Sequence, residues 1–349
     1  MEPVLTKLEP FFSPRPWGAY SLAPLFPEKV SLKEPLGEAW LTAQSGVVST
    51  GPFSGKTLGE AWRGMPEAWR GKSMARYADF PLLVKFIFPT DKLSIQVHPD
   101  DAYAAEFEQA AGGRGKTEMW HILSSQPGAE LLLGLRPGVT RERFLKAVSD
   151  HTVEELFLHE PVCPGDTYFV PAKTQHAIGP GMVLCEVQEY SDLTYRVYDF
   201  GRVDAQGKPR ELHLEKAMEV TTFGPTLAGK VTPLSLHSPD ATIRLLAACE
   251  FFATERWDCD RATFIDGDSR QFQLIVVLQG HGELLDDNSA VHFRAGDTWF
   301  LPAALETVTL RPLAPTSFLR IYVPELARLR HELALRGLDP GAISRTLIG

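Results

Sequence analysis

One stretch of this 349-residue chain occurs twice, and the repetition constrains the fold more than any other feature. The first copy runs Gly165-Asp-Thr-Tyr-Phe-Val-Pro-Ala, and the second runs Gly296-Asp-Thr-Trp-Phe-Leu-Pro-Ala in the same register. Each copy predicts a turn, a short strand and a break at proline, and short predicted strands precede both. Internal similarity at this separation predicts two copies of one domain type.

The two copies differ at a position that matters for chemistry. His176 follows the Pro-Ala of the first copy, whereas Thr307 stands at the corresponding position of the second. We therefore expect both halves to keep the same strand and turn, and the second half to lack a candidate metal ligand that the first half retains.

Further candidate ligands precede the first copy. Successive side chains of a β-strand point to opposite faces, so Gln96 and His98, two positions apart, share a face. The alternation of residues 117–123 puts Glu118 and Trp120 on one face and His121 on the other. If Glu118 points toward Gln96 and His98, Trp120 lies beside it in the wall of a pocket, and His121 points away.

Helical patterns are confined to a few segments, at about 58–69, 101–112, 139–159 and in the C-terminal tail 324–349. In the tail, leucines follow one face of the predicted helix and arginines the opposite face. Such a helix can dock on its own chain or associate with a second copy, and the sequence does not distinguish the two.

Composition excludes several classes of protein. The formal net charge of -9 argues against nucleic acid as a partner, because phosphate binding requires a basic surface. No apolar run reaches the roughly 20 residues of a membrane span, and the N-terminus lacks the layout of a signal peptide, so we expect a cytoplasmic protein without a membrane partner. The four cysteines are scattered without a Cys-x-x-Cys pair, which indicates neither a disulfide framework nor a thiolate zinc site.

Taken together, these motifs resemble the cupin signature and, more narrowly, type I mannose-6-phosphate isomerase (phosphomannose isomerase) in its short bacterial form. The resemblance rests on the segments around Gln96-Val-His98, Gly115-Lys-Thr-Glu118 and Pro171-Ala-Lys-Thr-Gln-His176, and on Gln188 to Asp199 with Gly201-Arg202. It extends over most of residues 11 to 325. Four ligand motifs in the order of the family make it specific.

The resemblance implies a mainly β fold with two cupin-type jelly-roll β-sandwich domains and a small helical insertion. We expect an N-terminal metal-binding, catalytic cupin at 1–225, a degenerate C-terminal cupin at 226–323 and a helical tail at 324–349. The second domain, in which Thr307 replaces the ligand, is expected to pack against the first.

The resemblance also implies one zinc ion bound by Gln96, His98, Glu118 and His176. Imidazole nitrogen and carboxylate oxygen suit zinc, and a catalytic site leaves one position open. Arg196 is implied as the fixed cation that stabilises negative charge on the substrate.

Lys116, two residues before Glu118, is predicted to be an acid/base group whose pKa falls through burial and the nearby zinc charge, or a residue that only holds the substrate. The group that removes the substrate proton is left open among Lys116, a zinc-bound hydroxide, Glu38 and Glu189.

The implied reaction is the interconversion of mannose 6-phosphate and fructose 6-phosphate through an enediolate, in mannose and general carbohydrate metabolism. A cupin that binds a sugar or sugar phosphate without turnover is one alternative, and an isomerase of another aldose phosphate is the other. The other class of cupin isomerases, which acts on glucose 6-phosphate, is expected to have a His-x-His ligand pair. This chain has Gln96-Val-His98 at that position. We expect a monomer or homodimer.

Substrate contacts are predicted less strongly. Trp17 and Glu38 belong to family-like segments near the N-terminus, and a phosphate anchor is sought among the basic residues Lys92, Lys173, Arg202 and Lys208. Arg202 has the best support, since Tyr-Asp-Phe-Gly-Arg matches the family segment.

Overall fold

The computed structural model describes residues 2–203, 207–287 and 289–349. The chain is mainly β, and the fold class is the one that the sequence predicted. The strands are β1 (Thr6–Leu8), β2 (Phe11–Ala19), β3 (Leu36–Trp40), β4 (Leu82–Ile87), β5 (Ile95–Val97), β6 (Glu118–Ser125), β7 (Glu130–Leu135), β8 (Phe157–Pro161), β9 (Thr167–Val170), β10 (His176–Ile178), β11 (Met182–Glu189), β12 (Tyr195–Tyr198), β13 (Gly229–Lys230), β14 (Leu234–Leu236), β15 (Thr242–Ala248), β16 (Ala253–Cys259), β17 (Thr263–Asp266), β18 (Gln273–Gln279), β19 (His281–Leu285), β20 (Ala290–Arg294), β21 (Thr298–Leu301), β22 (Thr307–Pro312) and β23 (Thr316–Tyr322).

The α-helices are short. They are α1 (Leu58–Gly64), α2 (Glu67–Arg70), α3 (Asp101–Phe107), α4 (Arg141–Ser149), α5 (Leu214–Val220), α6 (Leu326–Leu335) and α7 (Pro340–Thr346). Single 3₁₀ turns lie at Pro27–Lys29, Gly51–Phe53, Lys72–Arg76, Gln109–Ala111 and Val153–Leu156. None of the helices in the described ranges is long and apolar enough to cross a membrane.

The chain divides into two compact units. The middle unit contains residues 15–19 and 87–230, and the terminal unit contains 1–14, 20–86 and 231–349.

The middle unit is a β-sandwich. One of its sheets has the strand order β12-β5-β10-β7-β8, and the other contains β13-β9-β6-β11. Leu131 and Ile178 of the first sheet and Trp120 and Leu184 of the second pack into one buried cluster between them. The opposite face of the first sheet is covered by α4 and α5, whose apolar side chains bury strand residues such as Val97.

This arrangement sets which side chains face the interior of the sandwich. Ile95 and Val97 pack toward the helices, so Gln96 between them points to the opposite face. On β10 and β12 the same alternation turns His176 and Arg196 to the inner face, because Ala177 and Tyr195 belong to the helix-covered cluster.

The terminal unit repeats the sandwich architecture. A sheet of order β1-β21-β18-β23-β16-β15-β14 faces a sheet of order β17-β22-β19-β20. Ile275 and Phe318 from the first sheet pack with Leu284 and Leu310 from the second.

The repeated sequence folds the same way in both units. The glycines that open the copies, Gly165 and Gly296, have φ of 91° and 86°, values that favour glycine. Each is followed by a strand at equivalent positions, β9 in the middle unit and β21 in the terminal unit. At Gly296 a side chain would also meet the carbonyl oxygen of Leu25 at 2.5 Å. The sequence repeat therefore marks a structural repeat.

The compact units differ from the predicted division at 225/226. Residues 20–86, predicted to belong to the N-terminal cupin, group with the C-terminal half. Their aromatic rings account for this: the centroids of Trp62 and Phe80 lie 5.4 and 5.1 Å from that of Phe272. Large apolar rings of this kind need a partner surface to be buried, and β18 begins next to Phe272.

Several predicted helices have different lengths. The helix expected at 58–69 is two helices, α1 and α2, because the chain is extended at Met65 and Pro66. The helix expected at 101–112 ends at Phe107, and the segment expected to be helical to 159 becomes β8 at Phe157. In the tail, Leu333 of α6 packs with Ile343 and Leu347 against the terminal unit, so this helix docks on its own chain.

Candidate metal and active site

Three ionisable side chains of the middle unit converge at the inner face of its sandwich. His98, Glu118 and His176 each offer a ligand atom, and these atoms lie within 4.8 Å of one another. The Glu118 carboxylate is 3.3 Å from His176 Nε2 and 3.9 Å from His98 Nε2. All three side chains are at most 1% exposed. Among the described residues this is the group found with the spacing of a metal site.

Backbone hydrogen bonds fix which nitrogen each histidine presents. His98 Nδ1 lies 2.8 Å from the Leu193 carbonyl oxygen, and His176 Nδ1 lies 2.9 Å from the Thr174 carbonyl oxygen. A carbonyl can only accept, so each Nδ1 carries a proton and Nε2 is the nitrogen that each ring presents toward Glu118. Metal-binding histidines are held in this way in many proteins. The donor set and its orientation fit a metal ion.

Gln96 lies beside these groups. Its Nε2 is 3.4 Å from His176 Nε2, and in the antiparallel pair β5 and β10 the two residues are directly opposite. The two ends of a side-chain amide are assigned from hydrogen bonding alone, and a half-turn places Oε1 toward His176. Gln96 is therefore next to the three-residue group, and its predicted role as a ligand stays a prediction.

Burial disfavours the charged forms of the side chains at this site. The pKa of His176 falls to about 4 because burial penalises its charged form, so its imidazole is neutral at physiological pH. Burial also raises the pKa of Glu118; the Glu186 carboxylate adds to this effect and Lys116 opposes it. Two buried carboxyl groups beside the neutral His176 imidazole offer oxygen and nitrogen donors to a divalent cation.

Lys116 lies in the same site, with its Nζ 3.0 Å from Glu118 Oε2. Burial alone would lower its pKa, as the sequence predicted, but Glu118, Glu186 and Asp192 outweigh burial and raise it. In this arrangement of side chains the lysine is a buried ammonium group, and the predicted lowering of its pKa by a zinc charge stays a prediction.

Arg196 faces the same interior. In the antiparallel pair β12 and β5 it is directly opposite Gln96. Its NH1 donates to the Glu211 carbonyl oxygen at 2.9 Å, and Nε is buried without a hydrogen-bond partner. The guanidinium thus has an unused donor on the side of the sheet that carries the histidines.

Comparison with known proteins identifies the family. Residues 5–119 match the family described as phosphomannose isomerase type I, catalytic domain, and residues 242–314 match the mannose-6-phosphate isomerase cupin domain. A probable mannose-6-phosphate isomerase of Bacillus subtilis is 36% identical over 87% of this chain and 95% of its own length. The chain belongs to the type I mannose-6-phosphate isomerase family.

Two further relatives agree. The mannose-6-phosphate isomerase of Streptococcus mutans is 34% identical over 83% of this chain and 90% of its own length. The crystal structure of the mannose 6-phosphate isomerase from Bacillus subtilis superposes with a TM-score of 0.82 at 31% identity, and it covers 91% of this chain and 99% of the other. The predicted family membership and cupin fold are confirmed.

This member of the mannose-6-phosphate isomerase family has a second charged cluster, which surrounds Asp199. The Asp199 carboxylate accepts from Arg202 Nε at 3.1 Å and from Arg210 Nε at 2.7 Å. These arginines hold the pKa of Asp199 below its usual range although burial opposes them. Burial is the largest cause that lowers the pKa of Arg196, and the positive charges of Arg210 and Arg202 lower it further. Arg202 NH1 also lies 3.4 Å from Asp91 Oδ2, so two arginines share two carboxylates in this cluster.

The remaining predicted substrate residues lie in different places. Lys92 forms a salt bridge with Glu154 and lies over the Phe200 ring at 5.2 Å. Trp17 is 3% exposed within the sandwich core of the middle unit, a position that suits packing. Glu38 belongs to the terminal unit, where its Oε2 accepts from Trp40 Nε1 at 3.0 Å. The predicted substrate contacts of these residues stay predictions.

Sequence reasoning missed Glu186 beside the candidate metal site. It lies on β11 directly opposite Trp120, and its Oε1 accepts from Trp120 Nε1 at 3.2 Å. It is also a neighbour of Lys116 and Glu118. The alternation of Glu186 with Gln188 in an otherwise apolar strand could have indicated an inward-facing carboxylate.

Glu189 is held by the backbone next to Lys116. Its Oε1 accepts from the Thr117 N–H at 2.6 Å, and its carboxyl group forms a hydrogen bond with Asp101. Burial and the Asp101 carboxylate raise the pKa of Glu189 to about 9. A carboxyl group that is protonated at neutral pH is a poor general base, which disfavours one of the four candidates for proton removal.

Proposed function

We propose that this protein is a zinc-dependent isomerase that interconverts mannose 6-phosphate and fructose 6-phosphate. The observation that carries the proposal is the convergence of His98 Nε2, His176 Nε2 and the Glu118 carboxylate in a buried site. The chain that contains this site belongs to the type I mannose-6-phosphate isomerase family, and relatives that cover most of its length bear that name.

Gln96, His98, Glu118 and His176 are the proposed ligands of one zinc ion. Two neutral imidazoles, a carboxylate and an amide oxygen suit zinc better than magnesium or calcium, which prefer all-oxygen sites. When bound, the ion supplies a Lewis acid that polarises the carbonyl group of the open-chain sugar.

Arg196 is the proposed electrostatic residue of the reaction. Isomerisation removes a proton from C2 and delivers one to C1, and negative charge develops on oxygen in between. The guanidinium group of Arg196, directly opposite Gln96 and with its Nε donor unused, supports a role in stabilising that charge.

Lys116 is the proposed proton-transfer residue. Its ammonium group lies 3.0 Å from Glu118 Oε2 and is 4% exposed, so it reaches the site from the protein interior. A proton donor held at this position serves the sugar oxygens or the adjacent carbons without competition from bulk water.

The substrate phosphate is assigned to Arg202. Its guanidinium lies in the Asp199 cluster with Arg210, so two guanidinium groups are held close together there. Planar guanidinium groups suit a phosphate because they can donate two parallel hydrogen bonds. Trp17, Glu38 and Lys92 remain proposed as weaker substrate contacts. The cytoplasmic location and the monomer or homodimer also remain predictions.

The test is a coupled assay for fructose 6-phosphate formed from mannose 6-phosphate. Purified protein is assayed as isolated, after chelator treatment and dialysis, and after zinc is restored. We expect chelation to abolish turnover and zinc to restore it.

The alternatives give different results in the same assay. A folded, zinc-loaded protein that does not turn over mannose 6-phosphate contradicts the proposal. In that event, binding of the sugar phosphate by calorimetry indicates a binding cupin, and turnover of another aldose phosphate indicates a different isomerase.

A further inference from the structure

The strand that carries Arg196 has an irregular segment along its outer side. Residues 211–213 run beside β12, just before α5 begins at Leu214. The His213 N–H donates to the Arg196 carbonyl oxygen at 2.7 Å, and the Arg196 N–H donates to His213 Nδ1 at 3.1 Å. A third hydrogen bond joins Arg196 NH1 to the Glu211 carbonyl oxygen at 2.9 Å.

These three bonds hold both ends of one residue. The main chain and the imidazole ring of His213 fix the backbone of Arg196. The carbonyl group of Glu211 fixes its guanidinium. The imidazole therefore takes the place that a carbonyl oxygen would occupy in a regular strand pair. Without this acceptor the partly buried N–H would be left unsatisfied, which destabilises the local backbone.

The bond requires a specific form of the imidazole. Nδ1 must be an acceptor, so the proton is on Nε2, which lies 3.9 Å from Glu211 Oε2. Burial lowers the pKa of His213; Arg196 and Lys216 lower it further, while Glu211 and Glu108 oppose them. The ring is thus neutral at physiological pH and able to accept.

We propose that His213 is a positioning residue for Arg196, which it holds toward the metal site through the bond that Nδ1 accepts. The inference rests on the proposed function, because that function makes Arg196 the residue that stabilises negative charge on the substrate. Arg196 touches the reacting sugar in that proposal, whereas His213 acts only through Arg196.

Two substitutions separate the acceptor from the rest of the side chain. In His213→Asn the amide Oδ1 occupies nearly the position of Nδ1 and can accept the same bond. In His213→Ala the acceptor is lost. We expect His213→Ala to lower kcat by about 10- to 100-fold with little change in KM, because a small displacement of a catalytic group has effects of this size. We expect His213→Asn to restore most of kcat.

Metal content and a surface control complete the design. Zinc per chain should be unchanged in both variants, because His213 is not a ligand. His159→Ala removes a histidine that pairs with Glu130 at the surface of the same unit, and it should leave kcat unchanged. Wild-type kcat in His213→Ala overturns the proposal, and so does equal loss in His213→Ala and His213→Asn.

A measurement on the wild-type protein does not depend on activity. Nitrogen-15 NMR of the histidine side chains distinguishes the two neutral tautomers, and His213→Asn assigns the signal. A proton on Nε2 is expected, and a proton on Nδ1 overturns the inference. If the wild-type protein has no isomerase activity, the proposed function fails, whereas the tautomer still tests the bond to Arg196.

Discussion

Arg196 lies directly opposite Gln96 in the antiparallel pair β12 and β5, and Gln96 lies directly opposite His176 in the pair β5 and β10. Side chains at directly opposite positions point to the same face of a sheet. One row across three neighbouring strands therefore carries a proposed metal ligand at one end and the proposed catalytic cation at the other. The register of β5 fixes the distance between them.

This row predicts the effect of removing the guanidinium. In Arg196→Ala, kcat should fall by about 100- to 1,000-fold, the usual loss when one donor to a developing oxyanion is deleted. Zinc per chain should stay at the wild-type value. Arg244→Ala is the matched control, since Arg244 pairs with Asp258 on a strand of the terminal unit. Unchanged kcat in Arg196→Ala would remove this residue from the mechanism.

Two buried histidines, one facing Glu118 and one on the other face of the Glu118 strand, predict opposite outcomes for zinc binding. His176 faces Glu118, whereas His121 is on the other face of β6, where its Nδ1 lies 3.0 Å from Thr167 Oγ1. His176→Gln should lower zinc affinity and turnover together, because it removes an imidazole ligand. His121→Gln should retain zinc. Metal analysis of folded, dialysed protein measures both, and equal zinc loss in the two variants would argue against the assigned ligands.

Period-two alternation was enough to place Gln96 and His98 on one face and Glu118 on the face opposite His121. The repeat placed His176, because the second copy showed which part of the motif is structural. The first inference uses residues close together in the sequence, and the second compares two segments that align in the same register. Neither inference therefore needed knowledge of which strands pair.

The rest of the site depends on distant pairing. The contact between Arg196 and Gln96 joins positions 100 residues apart, and the bond from Arg196 to His213 involves a segment before α5, a helix that the sequence did not predict. Glu186 faces the site only because β11 pairs with β6 in one register. Register between such strands follows from packing of the whole sandwich, which a single sequence does not specify.

The Glu189 carboxyl group predicts a pH dependence of stability. Its pKa is about 9 in the folded protein, against an ordinary value of 4.5, so the folded chain keeps a proton that the unfolded chain has lost. Its contribution to stability is complete below pH 4.5 and is lost as pH rises toward 9. Glu189→Gln can keep both hydrogen bonds without titrating. As pH rises over this range, the free energy of unfolding should fall less in the variant than in the wild-type protein. The difference in slope should be up to about 1.4 kcal/mol per pH unit.

Urea unfolding between pH 5 and 9 measures this difference. Glu250→Gln, at an exposed position, is the control and should follow the wild-type curve. A Glu189→Gln curve parallel to the wild-type curve would mean that Glu189 is ionised in the folded protein.

The positive φ of Lys173, next to the proposed ligand His98, predicts an effect of backbone strain on stability. Its φ is 70°, which is unfavourable for a side chain with a Cβ, and its N–H donates to the His98 carbonyl oxygen at 2.7 Å. Lys173→Gly should change the free energy of unfolding by less than about 1 kcal/mol, because relief of strain offsets the greater entropy of the unfolded chain. Lys173→Val should cost about 1–3 kcal/mol, because a β-branched residue resists this conformation. Equal stability of the two variants in urea would show that the backbone is not strained here.

The C-terminal helix α6 offers a matched pair of leucines two residues apart. Leu333 is 2% exposed and packs with Ile343 and Leu347, whereas Leu335 is 74% exposed. Leu333→Ala should destabilise the protein by about 2–4 kcal/mol, since it removes buried methyl groups and leaves a cavity. Leu335→Ala should change stability by less than about 0.5 kcal/mol. Thermal or urea unfolding measures both. A large loss in Leu335→Ala would mean that the exposed face is covered in solution, and self-association of the tail would then account for it.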